Sequence, residues 1–307
     1  MLMKFLFAGL ASALTARAAY PAWTRMRAAQ RERATAWRPD GVRVGAAPFE
    51  LGEGRVAILC IHGFASSPSV FSHMATELAQ RGYAVRAMRL PGFGERLERM
   101  LRVDESDWQR TLADEVRDLR RTHDTVWLMG HSMGATLALD LAQTDRQAVD
   151  GLALIAPLIQ VSTRRSLGLP PETLFAVAEK ILTPDTILGT AFPVDLHAKK
   201  EGVAEDRDRF LPMSMYSAMF RLTRRVRSRP TELNIPTLIV VPGSDKVVSR
   251  RACLKFYEDL RAPRKKLVHA PNAGHVIPLD YGWQEIVRSV VEFVEAAEAP
   301  TTGGPPK

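Results

Sequence analysis

Long apolar runs are scarce in this 307-residue chain. The one near the start, Phe5 to Leu14, is about ten residues long, too short for a helix to cross a bilayer. Cysteine is scarcer still. Cys60 and Cys253 are the only two, both sit in apolar surroundings, and they match no metal-ligand spacing. Two buried thiols are expected, and cysteine usage leaves the compartment open. There is no glycine-rich phosphate loop and no His/Cys cluster of ligand spacing, so neither a cofactor nor a metal is expected. No internal repeat is visible.

Charge of one sign is also missing from most of the chain. The net charge is +8, but residues 1–40 hold seven of the basic side chains (Lys4, Arg17, Arg25, Arg27, Arg31, Arg33, Arg38) against Glu32 and Asp40. The remainder is close to balanced and lacks the basic surface that tracks phosphates. A nucleic-acid partner is therefore not expected. The leader fits three readings: an interfacial segment meeting anionic lipid, a weak secretory signal, or an unstructured extension. Arginines crowd the region just after the apolar run, which favours the cytoplasmic side and peripheral contact with the inner membrane face; export is the alternative.

What is present is a regular alternation. With 46% apolar and 25% charged residues, the composition is that of a soluble globular protein. "RVAILCIHGF", "AVRAMRLPGFG", "TVWLMG" and "VDGLALIAP" read as strands. Between them, "SVFSHMATELAQRGY", "SDWQRTLADEVRDLRRTH" and "ATLALDLAQ" read as helices. The first should bury Phe71, Met74, Leu78 and Ala79; the second, capped by Ser106 or Asp107, should bury Trp108, Leu112, Val116 and Leu119. Such alternation predicts an α/β fold with a mostly parallel, helix-covered sheet, whose ligands bind at the carboxyl ends of the strands. The rhythm stops after Pro157 and resumes with "IPTLIVVPGSD", "KKLVHAPNAGH" and a closing helix in "GWQEIVRSVVEFVEAAE". The expected division is a basic leader (1–40), a core (41–157 and 231–297), an inserted helical cap without a strong strand (158–230) and a flexible tail (298–307).

Gly130-His131-Ser132-Met133-Gly134 falls between a predicted strand and a predicted helix. A Gly-x-Ser-x-Gly pentapeptide arises by chance in about one chain in ten of this length, so its setting matters more than its letters. There it reads as a tight turn carrying a nucleophilic serine, with small neighbours letting strand and helix approach. A serine needs a base. Of the seven histidines, His275 in "NAGHVIPLD" lies on a loop after the last predicted strand, at the sheet's ligand edge. Asp245 in "VVPGSDKVV" stands at another strand end and suits the acid that orients an imidazole. "CIHGF" offers a turn after the first strand, so the amides of Phe64 and Met133 are the candidate oxyanion donors. The order Ser132, Asp245, His275 is that of α/β-hydrolases.

The motifs "HGF", "LPGFG", "GHSMGA", "GSDKVV" and "GHVIPLD", with the tryptophan of "SDW", occur in one order over residues 50–297. In this the chain resembles α/β-hydrolases of the carboxylesterase and monoacylglycerol-lipase type. The resemblance implies that fold with an inserted helical cap, and hydrolysis of short- to medium-chain acyl esters or monoacylglycerol-like lipids through an acyl-enzyme. It assigns Ser132 as nucleophile, Asp245 as acid, His275 as base, and Phe64 and Met133 as amide donors. Phe93 departs from it, standing where many relatives have histidine. In the cap, Met215, Tyr216, Met219 and Phe220 recur at helical spacing and suit an acyl pocket, or simple packing on the core. The same triad serves acyl transfer and the hydrolysis of lysophospholipids, amides or carbon–carbon bonds, and the fold also occurs as a non-catalytic binding module.

Overall fold

The computed structural model describes residues 19–165 and 170–299; the apolar run at residues 5–14 and most of the C-terminal tail lie outside them. A seven-stranded sheet runs through the molecule in the order β1-β3-β2-β4-β5-β8-β9. Its members are β1 (Phe49–Leu51), β2 (Val56–Ile61), β3 (Ala84–Met88), β4 (Thr125–His131), β5 (Gly151–Ile155), β8 (Thr237–Pro242) and β9 (Lys265–Ala270). Only β1 is antiparallel to its neighbour; the other pairs are parallel. The six strands expected from the apolar runs all form. The short edge strand β1 carries no such run.

The central strands alternate between two cores, as the two-residue period of a strand dictates. Ala57, Leu59 and Ile61 of β2 face one cluster with Val126 and Leu128 of β4, Leu152 and Leu154 of β5, and Ile239 and Val241 of β8. Ile58, Cys60, Trp127, Met129, Ala153, Ile155, Leu238 and Val240 face the other. Burial on both faces is why these segments read as unbroken apolar runs. α4 (Glu105–Leu119), α5 (Met133–Thr144) and α8 (Arg250–Asp259) cover the first face. α2 (Ser72–Gln80) and α9 (Trp283–Glu298) cover the second. Both cysteines are free and buried, as expected.

Two helices of ten residues or more were not foreseen. Residues 19–33 are helical and form α1, within the segment read as a leader. α8 was missed because it buries only Cys253 and Phe256 in a run of charged residues; its Ser249 cap, accepting from the amide of Ala252 at 3.3 Å, was the available signal. α4 buries the four residues expected of it, but its cap is Asp104 rather than Ser106 or Asp107. Asp104 accepts from the amide of Ser106 at 2.8 Å, while Asp107 reaches back to the amide of Asp104 at 2.9 Å. That reciprocal pair satisfies two otherwise orphaned donors.

Between β5 and its sheet neighbour β8 lie α6 (Pro171–Ile181), β6 (Ile187–Gly189), β7 (Phe210–Pro212) and α7 (Met213–Ser228). β6 and β7 pair as a small antiparallel sheet, which the sequence reading did not anticipate. Three-residue strands carry too little periodicity to register. α7 is tied to the core through buried Asp140 of α5, which pairs with Arg225 at 3.0 Å and Arg229 at 2.8 Å. Arg225 also meets Glu105 of α4 at 2.5 Å.

Beside the loop after β3, α3 (Leu97–Met100) leads into α4. Phe93 in this loop is fully buried, stacked on Trp108 with ring centroids 5.6 Å apart and edge-on to His62 and Phe64 at 5.5 Å each. A phenylalanine fits because it meets rings on three sides. Trp108 donates its indole N–H to the carbonyl of Pro91 at 3.0 Å and fixes the loop. Trp108→Ala is expected to lower unfolding free energy by about 3–5 kcal/mol, read as a lower urea midpoint at unchanged slope.

Candidate active site

Ser132 sits between β4 and α5 with φ 55° and ψ −117°, a conformation that side chains other than glycine adopt at a cost. Two close approaches hold it there. A Cβ on Gly130 would lie 2.4 Å from Cα of Ala135, and one on Gly134 would lie 2.1 Å from the carbonyl oxygen of Ile61. Only glycine lets α5 start this close to the ends of β4 and β2. The amide of Ser132 donates to Ile155 O at 2.9 Å, and its carbonyl accepts from the amides of Thr136 and Leu158.

The loops after β8 and β9 bring the other two expected residues to the same point. His275 Nε2 lies 2.8 Å from Ser132 Oγ, and His275 Nδ1 lies 2.8 Å from Asp245 Oδ2. All three residues are at most 6% exposed. Asp245 Oδ1 accepts from the amides of Val247 at 2.7 Å and Val248 at 2.6 Å, which orients the carboxylate. Burial opposes the charged form of His275. The charge and hydrogen bond of Asp245, with the fields of Glu205 and Asp195, outweigh that penalty and raise its pKa above the ordinary 6.5.

Phe64 opens the turn after β2 and lines the same cavity as Ser132. Met133, fully buried, is the first residue of α5, so its amide is among those a helix leaves unsatisfied at its N-terminus. His62 steadies the turn: its Nδ1 donates to Gly63 O at 2.9 Å, and its Nε2 accepts from the amide of Leu90 at 3.1 Å. Burial holds His62 neutral, with a pKa of about 4. His131 sends Nε2 to the carbonyl of His275 at 3.0 Å; burial, with the nearby charge of His275, brings it down to about 3. It is thus a neutral prop under the loop that carries His275. The other histidines lie elsewhere: His73 stacks on Trp283, His123 bonds Leu119 O, His197 lies in the cap and His269 is exposed on β9.

Of the four cap residues expected at an acyl pocket, Met219 alone lines the cavity beside Ser132. Tyr216 stands behind it, 4.8 Å from the ring of Phe64, with its hydroxyl accepting from the amide of Ala191 at 3.1 Å. Phe220 packs on Phe175 at 5.0 Å, and Met215 reaches towards Gly92. The apolar wall is instead completed by Leu158, Phe192 and Val247. Part of the lining is charged, which sequence reasoning missed. Glu205 and Arg207, with side chains 6% and 11% exposed, face each other at 3.6 Å beside Ser66. Burial pushes the carboxyl of Glu205 up, with Arg207 and the hydroxyl of Ser66 partly offsetting it. Both residues sit in "EDRDRF", a run that reads as solvated cap surface. Among the described residues no cluster of His, Cys, Asp and Glu could hold a metal ion.

Because His275 is raised, its imidazolium should persist above pH 6.5 and deprotonate at higher pH. The pairing thus contributes stability below pH 6.5 that is lost as pH rises through the folded-state pKa. Histidine NMR titration of the folded protein is expected to show this midpoint above 6.5 and to show it falling in Asp245→Asn; a midpoint below 6.5 in the unaltered chain would contradict the geometry.

A family model described as "Serine aminopeptidase, S33" matches residues 52–281. The chain is 26% identical over 253 residues to a thermostable monoacylglycerol lipase of Bacillus sp. (strain H-257), covering 81% of this chain and 94% of that one. It is 22% identical over 252 residues to a carboxylesterase of Bacillus subtilis (strain 168), covering 81% and 96%. Its fold is similar to a solved structure from work on LipS and LipT, two metagenome-derived lipolytic enzymes. That match has a TM-score of 0.72 and 23% identity, and covers 85% of this chain and all of that one. With a mostly parallel sheet, an inserted cap and a family match over most of its length, the chain belongs to the S33 serine aminopeptidase family and has the α/β-hydrolase fold.

Proposed function

We propose that the chain hydrolyses carboxylic esters through an acyl-enzyme on Ser132. The observation that carries this reading is the unbroken line of two 2.8 Å contacts from a serine in a strained turn, through His275, to a buried carboxylate. His275 Nε2 takes the hydroxyl proton as Ser132 Oγ attacks the ester carbonyl. Asp245 holds the tautomer and balances the imidazolium, and the amides of Phe64 and Met133 receive the oxyanion. The tetrahedral intermediate collapses, the ester C–O bond breaks, and His275 passes its proton to the departing alcohol. Water then enters, gives a proton to His275 and attacks the acyl carbonyl, releasing the acid and restoring Ser132. Residues 158–230 act as a cap over this centre, and 41–157 with 231–297 as its core. The relatives named as a monoacylglycerol lipase and a carboxylesterase support an ester over an amide substrate.

Within that reading the apolar and the charged lining divide the substrate. Phe64, Leu158, Phe192 and Met219 suit an acyl chain. Glu205 and Arg207 offer an acceptor and donors to a leaving alcohol that carries free hydroxyls, as a monoacylglycerol-like lipid does. Ser132→Ala is expected to lower turnover of a p-nitrophenyl ester by about 10⁴-fold or more; near-normal activity would sink the assignment. Glu205→Gln should reduce hydrolysis of a monoacylglycerol about tenfold relative to the ethyl ester of the same acid, and equal losses on both would remove the hydroxyl-binding role.

A peripheral contact with the inner membrane face is supported by α1. Tyr20, Trp23 and Met26 are 41%, 54% and 51% exposed on a helix that also carries Arg25, Arg27, Arg31 and Arg33. No helix among the described residues is long and apolar enough to cross a membrane. Aromatic anchors with basic neighbours suit an anionic surface. The full chain should co-sediment with phosphatidylglycerol vesicles more than with phosphatidylcholine vesicles, and Trp23→Ser should weaken it; equal behaviour on both, or no effect of Trp23→Ser, would dismiss the contact.

A further inference from the structure

Residues 195–198 belong to the cap segment between β6 and β7, yet their polar contacts run to the loops that carry Asp245 and His275. The side chain of Asp195 is fully buried. Its Oδ2 accepts from the amide of Lys246 at 2.8 Å and from the amide of His275 at 3.3 Å. Its Oδ1 faces Lys246 Nζ at 3.1 Å, and its backbone carbonyl accepts from the amide of Val276 at 3.1 Å. The tie is reciprocal. Asp280, on the core side and 1% exposed, accepts from the amides of His197 at 2.9 Å and Ala198 at 2.8 Å in the cap, and from Gly274 at 2.8 Å. The contact is close enough that a Cβ on Gly274 would lie 2.6 Å from the carbonyl oxygen of Asp195.

We propose that Asp195 is a positioning residue for the reaction: a cap carboxylate that clamps the backbone of both the acid-bearing and the base-bearing loop, and so sets where His275 stands relative to Ser132. This rests on the triad assignment above. The sheet's own pairing stops short of both Asp245 and His275. Register between β8 and β9 ends at the pair Pro242 and Ala270, three residues before Asp245 and five before His275. Beyond it the loops touch directly through the amide of Gly243 on Ala270 O at 2.7 Å and that of Ser244 on Ala273 O at 3.4 Å. Both contacts precede the triad residues. Beside the His275–Asp245 contact and the bond of His131 to the His275 carbonyl, Asp195 adds a backbone tie that grips the amide of His275 and the amide next to Asp245 together. A displaced cap would therefore release both amides together, coupling cap position to triad geometry.

The test compares Asp195→Asn and Asp195→Ala with Ser132→Ala on a p-nitrophenyl ester. Turnover of the Asp195 variants is expressed per site titrated by a fluorophosphonate and that of Ser132→Ala per mole of protein, with KM, thermal midpoint and pH–rate profile measured alongside. A misplacement of about 1 Å costs about 10²-fold in rate, so Asp195→Ala should lose about that much in kcat while KM stays nearly constant. Asp195→Asn keeps an acceptor and should lose less. The charged or titratable groups facing His275 are Asp245, Asp195, Glu205 and His131. Removing one negative charge should move the acid limb of the profile to lower pH in both variants. A merely structural role would lower the thermal midpoint while leaving kcat per titrated site and the acid limb unmoved, and that result overturns the proposal. If Asp195→Ala does not fold, the near-isosteric Asp195→Asn decides by the same two readings. An inactive Ser132→Ala beside an Asp195→Asn of unchanged kcat and acid limb removes the clamp alone; an active Ser132→Ala removes the triad assignment and the clamp with it.

Discussion

The close approach of α5 to the ends of β2 and β4 is the constraint on which the remaining geometry depends. Gly134 sits where any side chain would strike the carbonyl of Ile61, and Gly130 sits where it would strike Ala135. Because the helix starts so near the sheet, the connecting residue must turn within one position, and Ser132 takes a positive φ to do it. The same crowding puts the N-terminus of α5, with Met133 as its first residue, directly after Ser132. Gly63 continues the pattern, since a Cβ there would approach Cβ of Ser132 to 3.1 Å. Backbone strain at the serine and a helix that begins immediately after it are thus two consequences of one packing requirement.

A second layer of order comes from buried carboxylates at the junction of cap and core. Asp140 holds Arg225 of α7 and Arg229 just past its end against the core, while Asp195 and Asp280 join residues 195–198 to the loops after β8 and β9. Buried carboxylates are costly unless each oxygen has partners, and these are placed where main-chain amides or arginines converge. The cap is therefore fixed to the core at its base. Its α6 behaves differently: Leu174, Val177 and Ile181 are 45%, 54% and 48% exposed, and no residue of α6 is buried. The attachment is thus at the base, while the outer helix keeps an exposed apolar face.

Much of this was legible in the residues. The six long strands announce themselves because both faces of the sheet are buried, which turns each into an apolar run. Ser132, Asp245 and His275 could be named because each follows such a run, and strand ends are where a parallel sheet gathers its ligands. The cap was not legible in the same way. Its strands β6 and β7 have three residues each, and α6 buries nothing, so neither period appears clearly. Of the α7 residues at helical spacing, only Met219 reaches the cavity, because the spacing marks the helix's buried stripe, most of which packs on α5 and the aromatic cluster. Phe192, Glu205 and Arg207 line the cavity only through the path of the chain between β6 and β7. In sequence, Glu205 and Arg207 are indistinguishable from Asp206 and Asp208 beside them, which pair with Arg43 instead.

The central claim is that Ser132 carries the acyl group, and covalent trapping tests it most directly. The protein would be reacted with a slowly turned-over activated ester, quenched in acid, digested, and its peptides weighed by mass spectrometry. The expected result is a single acyl adduct on the peptide containing Ser132, absent when His275 is replaced by alanine. An adduct on another residue, or turnover with no adduct under conditions where deacylation is slow, would contradict the account.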